Sequence, residues 1–232
     1  MHVVRCVVVR QLGVGDIAIH SCRSPETVPA YVAVGATVLS AVGLVLATRG
    51  GPGFAGYVSE AGVAGAPHAV LYRATLFLLA VAAAAAALAL RPVAVAAAGA
   101  LAVAVPCLLI SGVVQCSAGC PLPPYEHPTA GDLVHAGASI AAVALCGLAM
   151  LAAALWSVDL RVRSLSRAML WLLVPAGTAM AAALLFAGRT VLTGVLERVC
   201  LAGCLLWVAA AAALRTRPAA PRTRPGSRDT HR

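Results

Sequence analysis

Residues 111–135 read SGVVQCSAGCPLPPYEHPTAGDLVH. This stretch holds two cysteines, two acids, two histidines and four prolines, and it interrupts a chain that is otherwise largely apolar. Of the 232 residues, 61% are hydrophobic and only 11% are charged, and the mean hydropathy is +0.93. Soluble domains carry about 25% charged residues. The composition therefore predicts an integral membrane protein in which residues 111–135 form a polar loop.

Six apolar runs are each long enough to cross a bilayer, which takes about 20 predominantly apolar residues. They predict an all-α bundle of six transmembrane helices, with approximate bounds 29–48, 71–90, 92–114, 133–156, 168–188 and 194–214. Only Arg91 and Pro92 separate the second helix from the third, and a proline suits a first helical turn. Residues 1–28 are expected to be a flexible cytoplasmic leader, and residues 215–232 a disordered, arginine-rich cytoplasmic tail.

The arginines are distributed unequally between the two predicted sides of the membrane. All 17 basic residues are arginine, and 13 of them fall on the side of the termini, six within the last 18 residues. Because cytoplasmic segments of membrane proteins are enriched in basic residues, both termini are predicted to be cytoplasmic. The exclusive use of arginine, with alanine and valine in the apolar runs, is typical of a GC-rich bacterial gene and predicts a bacterial plasma membrane. The net charge of +9 then indicates a tail that faces anionic lipid, and no nucleic-acid partner is expected. The sequence gives no indication of the oligomeric state.

With this orientation the first, third and fifth loops face outward and are expected to form a polar cap. Cys116 and Cys120 lie in the central loop, and a disulfide closing so short a loop would stabilise the fold by about 2 kcal/mol. Two other interpretations stay open: free thiols, or a metal site completed by His127 and His135. The spacing of these residues does not match a standard zinc finger, and no cofactor is predicted.

Asp132 and His135 are three residues apart at the start of the fourth predicted helix, so their side chains share one face. Asp132 suits the N-terminal end of a helix, where a carboxylate caps free N–H groups. His135 lies one turn deeper, where an ionisable group needs a partner. The pair is interpreted either as a histidine hydrogen-bonded to Asp132, or as a dyad that transfers protons or binds a ligand.

Three further charged residues belong to the outward loops. Glu60 lies in GYVSEAG, and Glu197 and Arg198 lie in GVLER at the start of the last helix. Arg198 opposes the helix dipole there, so a carboxylate partner is expected for it, either Glu60, Glu126 or Asp132. The candidate ligand-binding residues are therefore Glu60, Asp132, His135, Glu197 and Arg198.

The same motifs carry a resemblance to a known family. Y-V-S-E-x-G after the first helix, G-C-P followed by D-x-x-H at the fourth, and G-x-x-E-R opening the sixth resemble the bacterial membrane family known as domain of unknown function 998. The similarity covers roughly residues 29–214. In that family an acid often stands between the cysteine and Gly-Cys-Pro, where this chain has Ser117. The resemblance implies the six-helix fold and an outward location of the polar motifs. It implies no catalytic activity.

The sequence favours a non-enzymatic membrane protein whose outward cap binds a lipid headgroup, a small ligand or an envelope partner. No dinucleotide glycine motif, P-loop, HExxH or GxSxG occurs. The alternative is an intramembrane metal-dependent hydrolase that uses Asp132 and His135 around zinc-activated water. A transporter is less favoured because the helices lack buried charges, and a haem redox protein because few histidines lie at suitable depth.

Overall fold

The computed structural model describes residues 6–7, 21–22, 27–51 and 53–216. It contains six long helices: α1 (Thr27–Ala47), α2 (Ala69–Leu90), α3 (Val95–Val113), α4 (Ala130–Trp156), α5 (Leu160–Ala187) and α6 (Val191–Thr216). Each is long and apolar enough to cross a membrane. The prediction of an all-α, six-helix membrane protein is confirmed.

The helix ends differ from the predicted bounds for local reasons. Helix α5 begins about two turns before the predicted residue 168, because the Asp159 side chain caps it by accepting a hydrogen bond from the Arg161 N–H at 2.9 Å. Its first turns carry arginines, which hydropathy alone had assigned to a loop. Helix α3 begins later than predicted, because residues 91–93 form a turn.

The terminal predictions fall mostly outside the described residues. Two short strands, β1 (Cys6–Val7) and β2 (Ser21–Cys22), pair antiparallel with Cys6 opposite Cys22. The other residues of the predicted leader up to residue 26, and the predicted tail from residue 217 onward, lie outside the described part of the chain. The cytoplasmic location of the termini stays a prediction.

The six helices form a closed ring. Each helix packs against the next one in the chain, and α6 packs against α1; α6 also reaches across to α2 and α4. Alanines line the contacts between α2, α3 and α4. In a bilayer, where hydrophobicity does not drive helices together, such small residues allow the close backbone approach on which packing depends.

One end of the ring, called here the packed end, is filled by side chains. It holds the turns 91–94 and 157–159. Trp207 of α6 is fully buried, and its Nε1 donates a hydrogen bond to Ser166 Oγ of α5 at 2.9 Å. Leu90 and Met150 are also fully buried among alanines.

The opposite end of the ring carries the polar loops. These are residues 48–68 between α1 and α2, which include the short 3-10 helices Gly53–Ala55 and Val58–Gly62, residues 114–129 between α3 and α4, and residues 188–190 between α5 and α6. Together with the adjoining helix ends they form the polar cap. The fold therefore gathers all the residues of the predicted site at one end of the bundle.

Candidate functional site: the polar cap and the central cavity

Glu197 and Arg198 bind the backbone of the loop between α1 and α2. The Val58 N–H donates to Glu197 Oε2 at 2.8 Å. The Arg198 guanidinium donates to the carbonyl oxygens of Gly56 at 3.0 Å and Gly53 at 2.9 Å. The carboxylate partner expected for Arg198 is therefore replaced by carbonyl groups, which attract the cation through their partial negative charge. Glu197 and Arg198, which are adjacent in α6, therefore both bind the backbone of the loop between α1 and α2.

Two motif glycines allow this loop to lie close to the helices. A Cβ at Gly194 of GVLER would collide with the carbonyl oxygen of Phe54. A Cβ at Gly62 of YVSEAG would collide with the ring of Tyr72. Both contacts require glycine for space, which gives a physical reason for its place in each motif.

Glu60 joins the first and last loops of the cap. Its carboxylate accepts a hydrogen bond from the Tyr57 N–H at 2.9 Å and forms an ion pair with Arg189, whose Nη2 donates at 2.6 Å. The Glu60 side chain is only 9% exposed. A pair shielded to this degree is screened less by salt than a fully exposed one. Glu60 is thus engaged in holding the loops together.

Asp132 organises the central loop. Thr129 is the N-cap of α4, and Asp132 completes a capping box by accepting the Thr129 N–H at 2.7 Å. The carboxylate also accepts the Ser117 N–H at 2.6 Å and the hydroxyls of Ser117 and Thr129 at 2.9 and 2.7 Å. Asp132 is 1% exposed. Four donors occupy its two oxygens, so the carboxylate acts as a structural acceptor.

His135 does not form the expected hydrogen bond with Asp132. Its Nδ1 lies 2.8 Å from the carbonyl oxygen of Val114 at the end of α3. A carbonyl only accepts, so Nδ1 carries the hydrogen. His135 is 4% exposed, and its Nε2 has no hydrogen-bond partner within the described part of the chain. Among the described residues, this nitrogen is the buried side-chain polar atom of the cap without a hydrogen-bond partner.

Cys116 and Cys120 lie next to each other in the central loop. Their Cα atoms are 5.1 Å apart and their sulfurs are in bonding contact. Gly119 and Cys120 both have positive φ, at 83° and 45°, and this turns the chain back on itself. Both cysteines are buried against Tyr57. The Cα separation is within the range of disulfide-bonded cysteines, and the disulfide stays a prediction.

Tyr57 lies where the cap meets the interior of the bundle. It is buried, and burial raises the pKa of its hydroxyl to about 12, with the carboxylates of Glu126 and Glu197 adding to the effect. The hydroxyl therefore stays protonated at neutral pH. A protonated phenolic hydroxyl can both donate and accept a hydrogen bond.

A cavity of about 580 Å³ extends from the cap into the middle of the bundle. All six helices contribute to its wall, which is largely apolar. Its deep part is bounded by Thr37, Leu101 and Val208, and polar residues gather where it meets the cap: Tyr57, Ser59, Tyr72, Asp132, His135, Ser139 and Glu197. Small-molecule sites typically have volumes of roughly 300–1,000 Å³ and few, convergent polar groups. The cavity has the size and polarity of a ligand site.

The wall of the cavity is thinnest between α4 and α5. In the described part of the chain, four wall residues are exposed, and all of them lie on these two helices: Ile140, Ala144, Ala181 and Leu185. The other wall residues are buried or half-buried. Helix α5 buries only Val162, Ser166 and Ala183 of its 28 residues. The seam between α4 and α5 is therefore the side on which the cavity approaches the surrounding bilayer.

The proposed metal ligands are not brought together. His127 is exposed on the central loop, whereas His135 is buried in α4. In residues 27–51 and 53–216, no three histidine, cysteine, aspartate or glutamate side chains are close enough to hold a metal ion. A catalytic zinc site uses three protein ligands and a water molecule. The donor set around Asp132 and His135 does not reach that number.

Several residues of the site were missed from the sequence. Ser117 and Thr129 supply the donors to Asp132, and Ser111 and Ser139 hydrogen-bond across α3 and α4 at 2.7 Å. The T-x-x-D spacing of Thr129 and Asp132 is that of a capping box and was a usable signal. The two serines carry no comparable signal, because their contact depends on how the helices pack.

The fold and the cap define a class: a multi-pass membrane protein with six helices and a ligand-sized cavity beneath a polar cap. Within that class, residues 31–214 match the family described as "Protein of unknown function (DUF998)". The match covers most of the chain, and the protein belongs to this family. The resemblance drawn from the motifs is thereby confirmed. Comparisons with curated proteins and with solved structures give no match.

Proposed function

We propose that this protein is a non-enzymatic membrane protein that binds one amphipathic molecule, with its polar end at the cap and its apolar chain in the central cavity. The observation that carries the proposal is the 580 Å³ cavity, apolar at depth and polar where it meets the cap. A molecule that complements this cavity must therefore have one polar end and an otherwise apolar body.

The size of the cavity favours a ligand with a single chain. At about 30 Å³ for each water-sized group, the cavity has room for about 20 such groups. A single acyl or alkyl chain with a small polar end is of this size, whereas a lipid with two chains is much larger. The proposal therefore narrows the predicted lipid headgroup site to a site for a single-chain amphiphile.

The position of the thin wall favours entry from the bilayer. Ile140 and Ala144 of α4, with Ala181 and Leu185 of α5, are exposed on the side of the cavity that faces lipid. An apolar chain that enters here does not cross water. We place the cap on the outer side of a bacterial plasma membrane, with both termini in the cytoplasm and the arginine-rich tail against anionic lipid.

The test is native mass spectrometry of the full chain extracted in mild detergent and incubated with total membrane lipid. Ala104→Phe places a ring in the cavity, because Ala104 is 3% exposed and lines it. The control, Ala102→Phe, adds the same ring to an exposed position on α3 outside the cavity wall.

Wild type and Ala102→Phe are expected to carry one bound amphiphile, and Ala104→Phe to have lost it. The proposal is wrong if the wild type stays bare after incubation. It is also wrong if a folded Ala104→Phe variant, verified by its helix content and melting temperature, retains the same bound mass.

A further inference from the structure

A second cavity lies on the polar cap, between the loop that follows α1 and the central loop. Its volume is about 300 Å³, and small residues form most of its wall. In the described part of the chain, three wall residues have side chains that can carry a charge: Arg49, Glu60 and His68. We call this cavity the loop cleft. Among the described residues, none lines both the loop cleft and the central cavity, so the two are separate sites.

The loop cleft carries an excess of positive charge. Arg189 and the Tyr57 N–H engage the Glu60 carboxylate, so the charge of this acid is already balanced. Arg49 is exposed and lies two residues beyond the end of α1. Within residues 27–51 and 53–216, no carboxylate forms an ion pair with Arg49. The positive charge of Arg49 is therefore not balanced by an acid of the cleft.

Two further polar groups lie in or beside the loop cleft. His68 is exposed at the start of α2, and its ring can donate a hydrogen bond. Arg189 lies at the edge of the cleft: its Nη2 donates to Glu60 at 2.6 Å, and its Nη1 is 3.6 Å from the position that a Cβ would take at Gly119. Gly119 belongs to the wall. The ion pair with Glu60 thus holds a second guanidinium group beside the cleft.

We propose that the loop cleft binds an anionic group, a phosphate or a carboxylate, through the Arg49 guanidinium, with His68 as a second donor. The planar guanidinium matches both kinds of oxyanion and can bind them with two parallel hydrogen bonds. Apolar walls concentrate the electric field of a charged cleft and so strengthen the attraction. The wall of the loop cleft includes Ala61, Val63 and Ala66.

The volume of the loop cleft limits the size of the ligand. At about 30 Å³ for each water-sized group, the cleft has room for about ten such groups. A phosphate with a short organic body is of this size. A lipid headgroup and a soluble anion both present this chemistry, and the experiment separates the two sources.

The experiment titrates the purified full chain, in an uncharged detergent, with three probes: inorganic phosphate, dihexanoyl phosphatidylglycerol and dihexanoyl glycerol. Isothermal titration calorimetry measures the affinities. The last probe has the same two acyl chains as the second but no phosphate, and it is expected to bind weakest. Tighter binding of phosphatidylglycerol than of phosphate would identify a lipid headgroup as the ligand. Phosphate binding at least as tightly would identify a soluble anion.

The first pair of variants tests the charge. Arg49→Gln keeps a polar side chain but removes the guanidinium, and it is expected to weaken binding of the anionic probes by about tenfold or more, the effect of one charge-assisted hydrogen bond. Arg91→Gln is the control, because Arg91 is an exposed arginine in the turn at the packed end. This control is expected to bind the anionic probes as the wild type does.

The second pair of variants tests the location without changing any charge. Ala66 lines the loop cleft, whereas Ala64 is exposed outside its wall. Ala66→Phe places a ring in the cleft and is expected to abolish binding of the anionic probes. Ala64→Phe adds the same ring two residues away and is expected to leave binding unchanged. Helix content and melting temperature verify that both variants are folded.

Three results would overturn the proposal: no binding of either anionic probe to the wild type, equal binding of phosphatidylglycerol and dihexanoyl glycerol, or equal weakening by Arg49→Gln and Arg91→Gln. A folded Ala66→Phe variant that binds like the wild type would also overturn it. Ala104→Phe, which alters the central cavity, is expected to bind the anionic probes normally. Failure of the proposed function would therefore leave this inference standing, and the reverse also holds.

Discussion

The two ends of the bundle are held together by different interactions. At the packed end, alanines and the fully buried Trp207 fill the space between the helices, and the close packing of these side chains stabilises the bundle. At the polar cap, charged side chains bind loop backbone: Glu197 holds Val58, and Arg198 holds Gly53 and Gly56. Between the two ends lies the cavity of about 580 Å³, lined by residues of all six helices. A membrane protein can leave such a space open when one end supplies packing and the other supplies hydrogen bonds.

The largest expected effect is on packing. Trp207→Ala removes a fully buried ring together with its hydrogen bond to Ser166, and we expect a loss of about 3–5 kcal/mol in the free energy of unfolding. Leu184→Ala removes a half-buried side chain that already borders the cavity, so a loss of about 1–2 kcal/mol is expected. Denaturation in detergent, followed by circular dichroism, measures both losses. Equal losses at the two sites would contradict the distinction between a packed end and an open cavity.

The next effect is on the rate at which the ligand exchanges. Ala181 lines the cavity at the α4–α5 seam, whereas its neighbour Ala182 is exposed outside the wall. Ala181→Phe is expected to slow release of a bound alkyl probe by about tenfold, the effect of roughly 1.4 kcal/mol on a barrier. Ala182→Phe is expected to leave the rate unchanged. Stopped-flow release of a fluorescent alkyl probe gives both rates, and equal slowing by the two variants would place the entry route elsewhere.

The smallest effect is electrostatic and concerns the turn at the packed end. Burial pushes the pKa of Asp159 upward, but hydrogen bonds from Arg161 and the charge of that residue hold it below its ordinary value. Arg215 at the end of α6 also pairs with Asp159, at 3.4 Å. A lowered pKa means that the folded state favours the carboxylate, so its contribution is present above the ordinary pKa and is lost as the pH falls through the folded value.

Wild type is therefore expected to melt at a higher temperature than Asp159→Asn at neutral pH, by the equivalent of less than about 1 kcal/mol, since these ion pairs are partly exposed. The difference should shrink as the pH falls below about 4, near the ordinary pKa of aspartate. Melting curves of both proteins across this range provide the measurement. A difference that grows on acidification would show that the charge of Asp159 opposes folding.

Much of the fold could be predicted because membrane insertion depends on local composition. All six helices were identified from apolar length, and their ends near Leu90 and Trp156 were close to the predicted bounds. The start of α5 was not, because the cap by Asp159 extends the helix through Arg161 and Arg163. A hydropathy profile identifies only the apolar part of a helix, so it does not detect first turns that are polar.

The site could be predicted only as a set of residues. Glu60, Asp132, His135, Glu197 and Arg198 do lie in the cap or at its edge, as the alternation of loops requires. Their partners could not be inferred, since these depend on distances between segments far apart in the chain: Arg198 binds carbonyl oxygens 142 and 145 residues away. Every residue has a backbone carbonyl, so the sequence does not indicate which carbonyl groups Arg198 binds.

The sequence by itself determined that the chain spans a membrane six times, that its polar motifs fall in alternate loops and that it resembles its family, because each of these depends on composition or on short motifs. Only the tertiary structure decided that Asp132 binds Ser117 and Thr129, and that His135 Nε2 has no hydrogen-bond partner in residues 27–51 and 53–216. It alone also revealed the cavity, since an empty space is a property of how six helices pack and no residue encodes it.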